Sequence, residues 1–385
     1  MYRIVCRTDG KEYPILDFRD EVYMVQSPKL TLELNKTGSL VFYMNCTHPN
    51  YGCIKKITSI LSVYYIRKNG TKKWLYSGRS MTDEEDFYRT GKIECEGILA
   101  LLLDSIVRDY TFQGTQKEYF TYLINQHNAH VGPEKQFLLG EINLDDTEVV
   151  RDSALKPNTL TEINSKMIKP LGCYVYARDE NGTYYVDCVK QLAITNKQKI
   201  RFGLNILDIK RKTTASSVKT VMIGIGGTDK NGNKIEVEVE DATAVASMGR
   251  IEGKIEFPEV TNKTELKTKT METLQQCLGY VQTTEVTAID MNMVDEEIQE
   301  LSLGYVEVIS EPHEISENVL ISKMVLELLS PEKNKYTLGV ATKVYREMSD
   351  GVGKDYDEVI GGIIKSVDEV SNNVGTANAM LEGLF

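Results

Sequence analysis

The chain has 385 residues with 45 Lys and Arg against 56 Asp and Glu, a formal charge of −11. That length buries more than one core and carries a prior of about two to four domains. The acidic balance argues against a nucleic-acid binder with a counterion-releasing basic face, although acidic walls suit a conduit along which DNA slides without sticking.

From Tyr2 to Gly97 strand follows strand. Residues 29–33 and 40–44 flank a turn at Asn35 to Gly38, and residues 61–66 and 74–76 flank Lys68-Asn69-Gly70, a hairpin signal. Residues 87–89 and 92–95 are expected to form a further hairpin across Thr90-Gly91. Many short antiparallel strands around one core imply a barrel or sandwich.

After Gly97 the apolar period changes. Ile98, Leu99, Leu101, Leu102, Leu103, Ile106 and Val107 predict a helix that is apolar nearly all round and therefore buried. A second helix opens with Thr115 and Glu118, spaced as a capping box, and carries Tyr119, Phe120, Leu123, Ile124 and His127 on its inner face until Gly132 and Pro133 stop it. A strand over 137–144, a helix over 158–168 with Thr159 and Glu162 spaced as a second box, and a hairpin of 173–178 with 184–189 across Asn181-Gly182 complete an α+β layer.

Strands resume at Ile200 and run through 218–225, a turn at Lys230-Asn231-Gly232, and 235–239, where apolar and acidic residues alternate and leave one face wet. A helix over 263–278 is capped by Asn262 and Glu265 and ended by Gly279. The last strands run from Glu285 to residues 336–344. Residues 76–97 and 319–339 share a plan of long strand, polar turn and return strand, a weak internal repeat.

The expected fold is α+β and mainly β: two antiparallel β-barrel domains, an inserted α+β layer and a C-terminal helix. The expected domains are 1–97, 98–199 joined by 243–282, 200–242 with 283–346, and 347–385. In the last, Ile360, Ile363, Val367, Val370, Val374, Ala377, Leu381 and Leu384 step alternately by three and four, the a/d seam of a coiled coil. β-Branched residues at both positions of the first two heptads favour trimers over dimers. Gly361, Gly362, Gly375 and Gly383 oppose this at about 1 kcal/mol each relative to alanine. The alternative is a single amphipathic helix folded back.

Little in the chain points to chemistry. Cys6, Cys46, Cys53, Cys95, Cys173, Cys188 and Cys277 lack C-x-x-C spacing, so neither zinc nor a disulfide framework is expected. His127 and His130, three apart at a helix end, read as a pair in contact with the helix dipole, since no H-E-x-x-H order accompanies them. His48 and His313 read as turn residues. Cys46, His48 and Cys53 lack the orienting group and oxyanion pocket of a thiol nucleophile. Gly224, Gly226 and Gly227 lack the helix of a phosphate loop and are expected to permit a bulge or close strand contact. Asp83, Glu84, Glu85 and Asp86 lack calcium-loop spacing. No catalytic residue, cofactor or metal is assigned. No segment has signal-peptide character or the roughly 18 uncharged apolar residues of a membrane span, so folding in the cytoplasm is expected.

Three segments carry a resemblance in matching order: IECEGILALLLDSIVRDYTFQGTQKEYFTYLINQHN from Ile93, IRFGLNILDIKRKTTASSVKT from Ile200, and LSLGYVEVISEPHEISENVLISKMVLELLSPEKNKYTLG from Leu301. Together they resemble the N-terminal hub region of phage and prophage tail-tip proteins, the tail-associated lysin or prophage endopeptidase tail family. The resemblance implies a non-enzymatic structural hub. It would be a homotrimeric ring of two barrels per chain that adapts a sixfold tail tube to a threefold tip and forms a DNA conduit in the virion tail tip. Implied partners are further copies of the chain, a distal tail protein or the tail tube above, and tip, fibre or receptor-binding proteins below, with DNA only in transit. Many such relatives continue into a wall-cleaving or fibre domain, whereas this chain ends at Phe385, so the endopeptidase activity is not expected here. The competing readings are a cell-wall hydrolase with its groups in the 98–195 layer and a host-glycan-binding module.

Overall fold

The computed structural model describes residues 1–339 apart from 147, 154–155, 193–195, 229–232, 258–259, 280 and 296. The turn expected at 230–232, the end of the strand expected over 336–344, and the seam from Ile360 to Leu384 lie outside the described residues. The chain divides into two compact units: residues 1–210 with 284–339, and a second unit whose described part lies within 211–283.

In the first unit the strands β1 (Tyr2–Thr8), β2 (Lys11–Asp17), β3 (Gln26–Glu33), β4 (Ser39–Asn45), β5 (Ile60–Ile66), β6 (Lys72–Glu85) and β7 (Thr90–Gly97) precede a mixed segment. That segment holds β8 (Tyr110–Thr115), α1 (Gln116–Asn128), β9 (Leu138–Asn143), β10 (Glu148–Ser153), α2 (Thr159–Ile163), α3 (Lys169–Leu171), β11 (Tyr174–Glu180) and β12 (Thr183–Val189). The chain continues through β13 (Ile200–Arg201) and β14 (Ile206–Thr214) into the second unit, which contains β15 (Val221–Thr228), β16 (Lys234–Glu240), α4 (Ala242–Met248), β17 (Glu252–Phe257) and α5 (Lys263–Cys277). It returns through β18 (Val281–Ala288) to β19 (Gly304–Ser310), β20 (Ile315–Glu327) and β21 (Lys335–Gly339).

One mainly antiparallel sheet of 13 strands dominates, in the order β14-β18-β21-β20-β3-β4-β7-β6-β5-β1-β2, with β19 pairing β20 and β13. The strands expected to make two barrels therefore run into one sheet, and no closed barrel forms among the described residues. The join is the antiparallel pair of β20 with β3, Lys323 opposite Glu33 through to Glu327 opposite Lys29. Charge helps set this register, because Lys29 meets Glu327 at 3.0 Å and Lys323 meets Glu33 at 3.5 Å. The core is shared as well. Ile4, Phe42, Leu61 and Ile93 pack in one cluster with Val286, Val306, Ile321 and Tyr336.

The hairpin of β6 and β7 turns earlier than expected. Asp86 Oδ1 accepts from the N–H groups of Tyr88 and Thr90 at 2.9 and 2.8 Å, so residues 87–89 form the turn and β6 extends through the acidic run to Glu85. The helix expected from Ile98 to Val107 is only a 3-10 helix of six residues, Ile98–Leu103. An unbroken apolar run offers no wet face, and all but Leu103 are buried. Asp104 then turns the chain away, its carboxylate taken by Arg79. The capping box of α1 forms as expected, with Thr115 Oγ1 accepting from Glu118 N and the Glu118 carboxylate accepting from Thr115 N. At α2 the cap is Asn158 instead, because the Thr159 hydroxyl bonds Ser105 and the Glu162 carboxylate accepts from Tyr110. These helices and β11, β12 share a second core around Phe120, Leu123, Ile163 and Val186.

The second unit is built on β15, antiparallel to β16 and parallel to β17. β15 and β16 thus belong with β17 to a three-stranded sheet of their own and, among the described residues, do not join the 13-stranded one. Likewise α5, expected to join the 98–199 layer, belongs to the cluster of Met222, Val239 and Leu274 in this unit. As its alternation predicts, β16 buries Val237 and Val239 and exposes Glu236, Glu238 and Glu240.

Candidate functional site

The histidines expected to form a pair at the helix dipole part company. His127 is fully buried, with Nδ1 at 2.7 Å from Ser105 Oγ and Nε2 at 2.9 Å from the Lys135 carbonyl. Burial lowers its pKa, so it is a neutral core imidazole and the dipole reading does not apply to it. His130 is exposed, with Nδ1 near the Gln126 carbonyl. His48 is a buried turn residue. Its Nδ1 accepts from Asn50 N, which makes Nε2–H the donor to the Ile15 carbonyl at 3.0 Å. Burial lowers His48 as well.

The other motifs are likewise absorbed by packing. Cys53 interacts with Cys6, a thiol raised first by that contact and then by burial, and not with His48. Cys173 and Cys188 are buried with sulfurs 3.7 Å apart. At Gly224 a Cβ would overlap the Thr270 hydroxyl of α5, and β15 bulges between Ile225 and Thr228, so the glycines serve close packing. Among the described residues no group of three or more His, Cys, Asp or Glu is placed to hold a metal.

Polar groups that sequence reasoning did not single out tie elements together in the first unit. Asp179 of β11 has a side chain 2% exposed; it pairs with Arg7 of β1 and accepts from Ser77 Oγ of β6 at 2.7 Å and from Gly182 N at 2.7 Å. Arg79 bridges Glu96 at 2.7 Å and Asp104 at 2.5 Å, and Lys135 reaches Asp104 at 2.7 Å. Burial pushes Asp104 up, but these two cations outweigh it and hold the carboxyl down. No local pattern marks such pairs, because their members are far apart in sequence.

A cavity of about 310 Å³ lies in the same unit, walled by Tyr2, Tyr65, Trp74, Leu75 and Met324. Its three acids are already engaged, Glu33 by Lys36 at 2.8 Å and Lys323 at 3.5 Å. Asp290, raised by burial, accepts from Gln198 at 2.6 Å and from Leu301 N at 2.8 Å. Glu300 pairs with Arg67 at 2.6 Å and Lys73 at 3.2 Å. Asp290 and Glu300 shape the 289–303 loop, and the three present no free acid–base pair.

What the molecule does offer is surface. The long β6–β7 hairpin ends in Phe87 and Tyr88, 92% and 76% exposed and stacked edge to face. β2 ends the large sheet, and β16 and β17 flank the small one, each with a side that pairs with no strand among the described residues.

Taken together, a mainly-β chain with a long antiparallel sheet, an inserted helical segment and no assembled catalytic constellation among the described residues has the fold of prophage tail proteins. Residues 194–348 match the prophage endopeptidase tail family. The chain is similar in structure to prophage tail protein gp18 from Listeria monocytogenes EGD-e, at 18% identity over 89% of this chain and 96% of that one, TM-score 0.54. It is similar also to the 43 kDa tail protein of prophage MuSo2 from Shewanella oneidensis, at 14% identity over 87% and 97%, TM-score 0.58. The tail protein from Neisseria meningitidis MC58 aligns at 12% identity over 88% and 95%, TM-score 0.57. A search of curated proteins gave no match.

Proposed function

We propose that the chain is a structural hub of a bacteriophage or prophage tail tip that acts by assembly and not by catalysis. The observation that carries this reading is the family match over residues 194–348, within a chain whose fold follows prophage tail proteins nearly end to end. In the proposed assembly three copies close a ring in which barrel-like walls are completed between sheets, meeting a sixfold tail tube above and a threefold tip below. DNA passes through it. Open strand edges support the reading, since ring closure covers backbone groups that otherwise invite aggregation. The seam of Ile360, Ile363, Val367, Val370, Val374, Ala377, Leu381 and Leu384 would stand on the threefold axis as a short plug or stem. The chain would sit in the virion tail tip, between a distal tail protein or the tail tube and the fibre or receptor-binding proteins.

Sedimentation and negative-stain imaging of the purified chain test this. The expected result is a ring of three 43.5 kDa chains; a monomer at micromolar concentration overturns it. A zymogram on Gram-positive cell walls tests the non-enzymatic part, and clearing by the purified chain would establish a hydrolase instead.

A further inference from the structure

The segment from Asn196 to Arg201 alternates without exception: Asn196, Gln198 and Ile200 are buried, while Lys197, Lys199 and Arg201 are exposed. The inward side chains anchor it at every second position. Asn196 Nδ2 donates to the carbonyls of Ser302 and Tyr305 at 3.0 Å each, and its Oδ1 accepts from Ser302 N at 2.8 Å. Gln198 Nε2 donates to Asp290 Oδ1 and to the Gln299 carbonyl, and its Oε1 accepts from Met291 N at 3.1 Å. Ile200 lies opposite Val308 in the parallel pair of β13 and β19. Asn205 closes the far end, accepting from Arg201 N at 2.7 Å and donating to the Lys199 carbonyl at 3.1 Å. The three cations are thus presented by a backbone that is already held.

They line a cleft of about 640 Å³ to which Arg67 also contributes. Of its acids among the described residues, Glu300 is neutralised by Arg67 and Lys73, which leaves Glu297. Among the described residues neither Lys197 nor Arg201 has an ion-pair partner. Lys199 meets Glu307 at 2.7 Å, but both side chains are about half exposed, so the pair is easily exchanged. Two residues of extended backbone advance about 6.6 Å, which sets Lys199 and Arg201 apart by a distance like that between successive phosphates of a nucleic-acid strand. Phe202 and Leu204, 50% and 60% exposed, follow at once and add an apolar surface for sugars. The stretch is basic in sequence as well: from Lys197 to Lys219 stand seven Lys and Arg and one acid, Asp208, in a chain of net charge −11.

We propose that Lys197, Lys199 and Arg201 form a guide strip that binds the phosphodiester backbone of duplex DNA. The identity of the polymer rests on the reading of the chain as a tail-tip hub. Binding itself is measured on the isolated chain and can fail independently of ring formation.

The test is fluorescence anisotropy of a labelled 20-base-pair duplex with the purified full chain. Three phosphate contacts give a log–log salt slope of about −2.7, hence about a 40-fold loss of affinity between 50 and 200 mM salt. Neutralising Lys197, Lys199 and Arg201 together to Gln should abolish that slope. Because these side chains point outward, the melting temperature should hold. Neutralising Lys11, Lys117 and Lys254 removes the same charge elsewhere and should leave the slope intact. Absence of binding at 50 mM salt, a salt-independent affinity, or equal losses in the two triple variants would overturn the proposal. Tighter binding to poly(glycerol phosphate) than to DNA would overturn it in favour of a cell-wall polymer.

Discussion

Asp179 shows how much one side chain can hold. Its carboxylate is nearly sealed from solvent and faces a half-sealed Arg7, so removing it strands a guanidinium as well as two donors. Asp179→Ala is expected to destabilise by about 3 kcal/mol, the usual loss on breaking a buried pair, and Ser77→Ala by about 1 kcal/mol. Urea unfolding checks both, and a loss under about 1 kcal/mol for Asp179→Ala would contradict this account. Glu300 acts through pH. Burial raises its carboxyl, yet Arg67 and Lys73 prevail and hold it at about 2; Arg19 holds Asp17 at about 2 as well. A folded-state pKa below the unfolded value of about 4 means that the unfolded chain takes up the proton first. The stabilisation is therefore complete above that value and is lost as pH falls towards about 2. Glu300→Gln should lower stability at neutral pH and flatten the acid limb between about pH 4 and about pH 2. An unchanged limb would remove Glu300 from the account.

At the level of elements, local chemistry and packing divide the work. The Thr115–Glu118 box satisfies early N–H groups of α1, so Thr115→Ala should cost about 1 kcal/mol. At β15 the constraint is space. Gly224→Ala drives a methyl into the Thr270 hydroxyl of α5, and an overpacking loss of about 1–3 kcal/mol is expected. Adding Thr270→Ala should recover part of it, which a simple loss of strand propensity would not allow. The repeat read between residues 76–97 and 319–339 has a structural counterpart. β6 and β20 are long strands of 14 and 13 residues, each followed by an antiparallel return strand.

For the whole molecule the tests concern assembly. Glu236→Lys with Glu238→Lys on β16 should reduce trimer formation more than Lys117→Glu with Gln126→Glu on α1, because sheet edges and not the helical layer are proposed to make ring contacts. Equal effects, read by sedimentation, would count against that. Val367→Asp with Val374→Asp should lower both trimer mass and melting temperature if the C-terminal seam is a coiled coil. Unchanged values would leave a single amphipathic helix. The overall acidity and the guide strip are compatible, since DNA that must slide needs walls of low adhesion with few points of contact.

The sequence by itself determined what rests on neighbours a few residues apart. The hairpin across Asn181-Gly182 formed because both residues tolerate positive φ, 55° and 96° here, and the α1 cap formed because donor and acceptor are three residues apart. The wet face of β16 followed from alternation alone. Only the tertiary structure decided which surfaces meet. β3 pairs with β20, nearly 300 residues away, so the strands of two expected barrels share one sheet and one core. His127 lost its place at the helix dipole to Ser105 and Lys135 in the core, and Thr159 gave up its capping role for Ser105. The reason is physical: periodicity records that a face is buried, but the identity of what covers it depends on chain closure over long separations, which no local pattern encodes.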